Sequence, residues 1–261
     1  MRHNSNQSEI HPFPEGYPQE GLLEGRNALQ EALRSGRTID KVWVAAGDTD
    51  RNLARLTSEA KEQGAVVIPV DRRKLDSMSI THAHQGVIAL AAARPYATLD
   101  DIFALAESRG RLPLIVVSDE LSDPHNLGAI IRSAECAGAH GVVIPKRRSA
   151  GLTPVVAKAS AGAIEYMPVA RVSNISSALK ELQARGVWVY GTAADGTQEL
   201  FDANFQGPTA IVIGNEGAGM GRLVRQTCDV LVRIPMRGRI SSLNASAAAA
   251  ILLYEAVRQR K

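Results

Sequence analysis

Short apolar runs, each followed by a helical pattern, set the tightest limit on how this chain can fold. The runs at 112–117, 141–144, 187–190, 210–213 and 230–234 are rich in Val, Ile and Leu and barely alternate with polar residues. Strands of that kind are buried on both faces, as in a parallel sheet between two layers of helices. Helical patterns fall at 127–137, 154–161, 175–184 and 245–258, and a further strand is expected at 166–169. The expected class is therefore α/β, with a parallel sheet and helices on both faces. Ligands in such sheets bind at the carboxyl ends of the strands. The loops 118–126, 191–196, 214–219 and 235–244 are the places to look for chemistry.

Ahead of this lies a smaller unit. Helices are expected at 25–33, 52–63 and 72–77, and strands at 41–45, 66–70 and 86–91. The expected domain plan is a disordered leader at 1–20, a small α/β unit at 21–93, a linker with one short helix at 94–111, and the larger unit at 112–261. The leader is polar, carries Pro12, Pro14 and Pro18, and has no apolar segment of the secretory kind. No run of roughly 18 apolar residues offers a membrane span. A cytoplasmic setting is expected. Cys136 and Cys228 sit in apolar contexts without matched histidine spacing, so neither a disulfide framework nor a metal site is expected.

The net charge is only +3, but the cations cluster. Lys146, Arg147 and Arg148 are consecutive. Arg233, Arg237, Arg239, Arg258, Arg260 and Lys261 stand near the end of the chain against the single acid Glu255. Such excess suits a polyanion such as RNA, and the alternative is a solvated surface.

Three motifs carry the chemistry. The first is Asn126-x-Gly128-x-x-x-Arg132. Asn126 is placed to cap a helix built on Leu127, Ile130, Ile131 and Ala134. Gly128 and Arg132 are four apart and share a face, so Gly128 leaves room for Arg132 to project over the strand edge. The plain alternative is a capping Asn and a solvated Arg. The second is Ile213-Gly-Asn-Glu-Gly217 with Gly219, a glycine-rich loop after a strand. It is neither a dinucleotide fingerprint nor a Walker loop, which speaks against a nicotinamide oxidoreductase. Glu216 would repel a phosphate, so the loop suits a neutral or cationic ligand, or an arginine such as Arg132. A tight turn with a surface Glu is the alternative. The third is Ile234-Pro-Met236 followed by Ser242-Leu-Asn244, where Ser242 and Asn244 can cap the last helix. Its stripe of Ala245, Ala248, Ala249, Leu252, Leu253, Ala256 and Val257 suits helix packing, within one chain or across a dimer.

In that order and spacing, the three motifs resemble those of the SPOUT-class RNA 2′-O-ribose methyltransferases, TrmH (SpoU) branch. The resemblance covers residues 21–261, and the first unit is similar to an L30/L7Ae-like substrate-binding domain. It implies an α/β-knot fold with a C-terminal trefoil knot, which the usual rule against threaded loops would never suggest. It implies S-adenosyl-L-methionine as cofactor, met by Gly214, Ile234, Leu243 and Thr192. It implies methyl transfer to a ribose 2′-hydroxyl, with Arg132 handling the proton. A guanidinium stays protonated in proteins, so binding the 2′-oxygen or a neighbouring phosphate is the sounder role for Arg132. Asn126, Glu216, Ser242 and Asn244 would orient Arg132 and the ribose, with Glu216 as the partner of Arg132. Lys146, Arg147, Arg148, Arg237 and Arg239 would contact RNA phosphates. The resemblance further implies a homodimer and, through the first unit, a guanosine of 23S rRNA as target. The alternatives are the same chemistry on tRNA, or a catalytically silent RNA-binding or ribosome-assembly module. Retention of Asn126, Arg132, Glu216 and Asn244 argues against the silent module.

Overall fold

The computed structural model describes residues 21–260. The leader expected at 1–20 lies outside the described residues, as does Lys261. The chain divides into two compact units that meet at Ala93 and Arg94.

The first unit runs β1 (Leu22–Glu24), α1 (Arg26–Arg34), β2 (Ile39–Ala45), α2 (Arg51–Glu62), β3 (Val66–Val70), α3 (Arg72–Met78) and β4 (Val87–Ala91). Its sheet order is β1-β4-β2-β3, with only the β2–β3 pair parallel. Leu22, Trp43, Leu75, Met78, Ile88 and Leu90 form one core cluster. Leu29 and Leu33 of α1 and Leu53 and Leu56 of α2 are also buried. Asp50 caps α2 by accepting the Asn52 and Leu53 N–H groups at 2.9 and 3.0 Å. The buried Glu24 ties down the turn after α3, accepting Ser79 Oγ and Ile80 N–H, each at 2.6 Å.

The second unit runs α4 (Leu99–Ser108), β5 (Leu114–Ser118), α5 (Pro124–Cys136), β6 (Gly141–Pro145), α6 (Pro154–Ala159), β7 (Val169–Val172), α7 (Ile175–Ala184), β8 (Trp188–Thr192), β9 (Gln198–Glu199), β10 (Thr209–Ile213), α8 (Arg222–Thr227), β11 (Val230–Arg233) and α9 (Ala245–Gln259). Every strand pair in its sheet is parallel, in the order β7-β6-β5-β10-β8-β11-β9. On one face Ile115, Val117, Val143, Val189 and Val212 pack with residues of α4, α7 and α8. The opposite side chains of these strands meet α5, α6 and α9 by the two-residue alternation of a strand. The expected parallel sheet, covered on both faces, is what forms.

Three details depart from the expected plan. Residues 94–111 are not a linker. Thr98 and Asp101 make a capping box at the start of α4, and Ile102 is fully buried in the core of the second unit. Ile102 lies where a Cβ on Gly141 would fall 2.3 Å from its Cδ1, so β6 and α4 approach too closely for any other residue there. The strand expected at 166–169 instead begins at Val169, because Pro168 has no N–H to give the ladder. The stripe on α9 is internal packing: Ala245, Ala249, Leu252, Leu253 and Ala256 are buried within the chain.

Several C-terminal arginines are structural. Arg260 donates to the carbonyls of Phe205 and Leu112 at 2.7 and 3.1 Å, and to those of Pro113 and Gly207. Arg233 pairs with Glu199 at 3.1 Å and Arg258 with Glu255 at 2.7 Å. Among the described residues the cation excess near the C-terminus thus shrinks to Arg237 and Arg239.

His140 stands before β6 and is 1% exposed. Its Nδ1 accepts the Leu114 N–H at 3.1 Å, while Nε2 has no partner among the described residues. Burial, reinforced by the charges of Arg109, Arg260 and Arg111, pushes its pKa down from 6.5 to about 4. Between those values the unfolded chain binds the extra proton, so stability falls as pH falls from 6.5 towards 4. Denaturant titrations at pH 7 and pH 5 should show wild type losing about 2 kcal/mol more than His140→Gln. Equal losses in the two proteins would remove His140 as the cause.

Candidate active site

The three sequence motifs meet at the carboxyl edge of the second sheet. Asn126 lies in the first turn of α5, Glu216 in the loop after β10, and Asn244 at the start of α9. Asn244 Nδ2 donates to Asn126 Oδ1 at 2.8 Å and to Glu216 Oε1 at 3.1 Å. Asn126 Nδ2 donates to the same Glu216 oxygen and to Asp123 Oδ2, the latter at 2.9 Å. Residues far apart in sequence are thereby joined through one carboxylate oxygen. Asn126 is buried, so its amide depends on these partners.

Each member is placed by local chemistry. Asn126 is not the cap of α5. Asp123 is, accepting the His125 N–H at 2.9 Å, with Pro124 in the first helical position, where its missing N–H costs nothing. Asn126 is thus free to turn inwards. Gly128 does not leave open room for Arg132 to project. A Cβ there would fall 2.4 Å from Ala159 Cβ and 2.9 Å from the Val156 carbonyl oxygen, so Gly128 lets α5 close onto α6. Asn244 does cap its helix, accepting the N–H groups of Ser246 and Ala247 at 3.0 and 3.3 Å. The glycine loop folds back on itself through Asn215 N–H to Gly219 O at 3.0 Å and the reciprocal bond at 2.8 Å. Its first residue must be glycine, since a Cβ on Gly214 would fall 2.4 Å from the Gly219 carbonyl carbon.

Next to this network lies a cavity with two lobes. The larger, of about 440 Å³, is lined by Thr192, Ile234, Pro235, Met236, Ser242 and Leu243 among others. The smaller, of about 350 Å³, is bounded by 213–220 and shares Thr192, Ser242, Leu243 and Ala248 with the first. Such volumes suit a small-molecule ligand. The loop 193–196 is held from both sides. Asp195 takes a two-pronged ion pair from Arg225, at 2.9 Å on each oxygen, and Arg233 donates to the Gly196 carbonyl at 3.0 Å. A Cβ on Gly196 would fall 2.6 Å from the Val232 carbonyl carbon, so this loop runs in direct backbone contact with β11.

The four expected cofactor residues, Gly214, Ile234, Leu243 and Thr192, all line this cavity. The Thr192 hydroxyl is already engaged, donating to the Val212 carbonyl at 3.0 Å, so Thr192 offers backbone and methyl surface. Ser242 faces both lobes and caps no helix. Glu216 lines the smaller lobe, but its expected bond to Arg132 is absent. Among the described residues Arg132 is exposed on α5 and makes no hydrogen bond or ion pair. The carboxylate is taken instead by the two asparagine amides, which α5 and α9 bring within reach. Lys146, Arg147 and Arg148 are exposed after β6, and Arg237 and Arg239 are exposed beside the larger lobe's loop. Arg148 is paired with Glu120 at 3.1 Å.

Sequence reasoning missed Asp119, Arg222 and Arg225. Asp119 follows β5 directly, at the edge where such sheets bind ligands, and that position was its only signal. Burial pushes its carboxyl above the usual range, against the opposing pull of the Gly221 N–H, which it accepts at 2.7 Å. Cys228 is no nucleophile. Burial foremost, with Asp229 and Asp119 adding to it, pushes its thiol up to about 12.

Known proteins share this architecture and these motifs. The model of the SpoU rRNA Methylase family matches residues 113–254, and that of the RNA 2′-O ribose methyltransferase substrate binding domain matches 22–97. YacO of Bacillus subtilis, assigned to the TrmH family as a tRNA/rRNA methyltransferase, is 48% identical over 93% of this chain and 97% of its own. The 23S rRNA (guanosine-2′-O-)-methyltransferase RlmB of Ralstonia nicotianae is 46% identical over 92% of this chain and 96% of its own. The SpoU methyltransferase AviRb of Streptomyces viridochromogenes, solved with the cofactor AdoMet, superposes with a TM-score of 0.79 at 30% identity, covering 92% of this chain and 89% of that one. The chain belongs to the SpoU rRNA methylase family of RNA methyltransferases, with a substrate-binding domain ahead of the catalytic one.

Proposed function

We propose that this enzyme methylates the ribose 2′-hydroxyl of a guanosine in 23S rRNA, using S-adenosyl-L-methionine held in the two-lobed cavity. The observation that carries the reading is the meeting of Asn126, Glu216 and Asn244 beside that cavity. The RlmB relative favours 23S rRNA over tRNA.

The cavity fits the cofactor by its chemistry. Its walls are Ala, Ile, Pro, Met and Leu side chains with glycine backbone, which suit an adenosine and a thioether chain. Its loop carries a carboxylate where a phosphate site would carry a cation, and a sulfonium is positive. When bound, S-adenosylmethionine supplies an electrophilic methyl group. The Asn126–Glu216–Asn244 network fixes α5, the glycine loop and the start of α9 in one register, so the cavity wall is built before substrate arrives. Holding reactants in line is worth about 7–11 kcal/mol in favourable models. Ser242, facing both lobes, is placed to hydrogen-bond the ribose. Arg132, which makes no hydrogen bond or ion pair among the described residues, binds the 2′-oxygen or an adjacent phosphate and stabilises the negative charge that develops there.

Lys146, Arg147, Arg148, Arg237 and Arg239 contact RNA phosphates in this reading, and a homodimer uses the outward face of α9, where Ile251 and Tyr254 are exposed. No helix among the described residues is long and apolar enough to cross a membrane. The reading puts the enzyme in the cytoplasm with its RNA.

The test is incubation with methyl-labelled cofactor and protein-free 23S rRNA or total tRNA, followed by ribose-methylation mapping. Label at one 23S guanosine is the expected result. Label confined to tRNA would replace the rRNA assignment, and label in neither would favour a silent module.

A further inference from the structure

We propose that a second cavity, at the far end of the glycine loop, grips a phosphate of the bound RNA strand between Arg147 and Arg222. The inference rests on the RNA-modifying reading above and adds a separate site to it. The cavity, of about 530 Å³, opens where β5, β6 and β7 end. Arg147 follows β6 and Arg222 begins α8, so the two guanidinium groups reach it from different elements.

The charges at this cavity do not cancel. Glu120 is engaged by Arg148 at 3.1 Å. Asp119 is 4% exposed, and its Oδ2 accepts the Gly221 N–H at 2.7 Å. The side chain of Asn174 is spent on capping α7, accepting the Ser177 N–H at 2.9 Å. Arg147 and Arg222 remain, exposed and without a hydrogen bond or ion pair among the described residues. Two unpaired guanidinium forks facing one hollow repel each other unless an anion lies between them, and their geometry matches phosphate oxygens. Leu223, 62% exposed on the same rim, offers an apolar surface to the face of a base. Cationic forks beside an apolar platform suit single-stranded RNA better than a free inorganic anion.

The second cavity is mechanically joined to the first. Asp119 holds Gly221, and Asn215 Nδ2 donates to the Glu120 carbonyl at 3.0 Å. Residues 213–220 wall the smaller cofactor lobe, while Gly221, Arg222 and Leu223 wall this one. A strand anchored by its phosphate here therefore leads along the Glu216 loop towards the reacting ribose.

The test uses the full chain and a protein-free 23S rRNA transcript, with binding read by filter retention without cofactor over a range of salt. The double variant Arg147→Ala/Arg222→Ala should bind at least about tenfold more weakly, and its log–log salt slope should shrink by about 0.7 for one lost phosphate contact. Calorimetric affinity for S-adenosylmethionine should stay within about twofold, since neither side chain lines the cofactor lobes. Should the double variant fold poorly, the singles Arg147→Gln and Arg222→Gln carry the same comparison, each with a loss of about threefold and a smaller salt slope. Unchanged affinity and slope would overturn the proposal. So would an equal loss in Arg185→Ala, which removes a cation paired with Asp100 and Glu181 at the other end of α7. Methyl incorporation is read separately: its failure in wild type refutes the proposed reaction, while the cavity stands or falls on transcript affinity.

Discussion

Arg132→Ala should lower methyl transfer by roughly 10²–10³-fold while leaving S-adenosylmethionine affinity almost unchanged. Arg132 is exposed on α5 and makes no hydrogen bond or ion pair among the described residues, so its removal leaves no buried group among them unpaired. The melting temperature should therefore hold, within the roughly ±0.5 kcal/mol usual for surface changes. Asn126 is six residues earlier on the same helix, about 9 Å along its axis. The same helix therefore carries both the asparagine of the network and Arg132, which is not among the residues lining either lobe of the cavity. Arg132→Lys should recover only part of the rate, because an ammonium lacks the planar fork that can hold two oxygens at once. Single-turnover kinetics with saturating cofactor would read the effect. Wild-type turnover in Arg132→Ala would remove Arg132 from the mechanism.

Glu216→Ala should have the opposite profile. It removes the acceptor shared by Asn126 and Asn244, and leaves one N–H of the buried Asn126 amide unpaired while Asp123 and Asn244 still hold the rest of it. An unpaired buried donor costs about 1–3 kcal/mol, so cofactor affinity should fall by roughly ten- to a hundredfold as the loop loses its anchor. Asn244→Ala would weaken the same network and also uncap α9, at about 1 kcal/mol of stability. The double variant Glu216→Ala/Asn244→Ala should then be less damaged than the sum of the singles, because both break one network. Calorimetry on the four proteins of that cycle measures the coupling. Strict additivity would mean that the three motifs act independently.

The contrast between these variants follows from where the sequence was legible. The strands at 112–117, 141–144 and 210–213 are legible because a parallel strand buried on both faces leaves a continuous apolar run. The sheet edge pointed to the loops, and the family resemblance singled out Gly214, Ile234 and Leu243, which do line the cavity there. The partner of Glu216 was not legible. Charge alone pairs a carboxylate with the nearest conspicuous arginine, yet helix geometry turns Arg132 outwards and brings two neutral amides instead. Gly128 misled in the same way, since a glycine that opens a space and one that closes a helix contact look identical in sequence. The C-terminal arginines read as an RNA surface until Arg260 is seen donating to backbone carbonyls, a role that depends on chain segments remote in sequence.

The sequence by itself determined the layers of the second unit and the edge at which its motifs meet, because strand and helix periods are local properties. Only the tertiary structure decided which side chains bond. It joined Asn126 to Glu216 and Asn244, left Arg132 without a bond among the described residues, spent Arg233, Arg258 and Arg260 on the protein itself, and placed Arg147 and Arg222 on the wall of one cavity. Those outcomes depend on distances of about 3 Å between residues up to 148 positions apart, and a hydrogen bond has no reach beyond that.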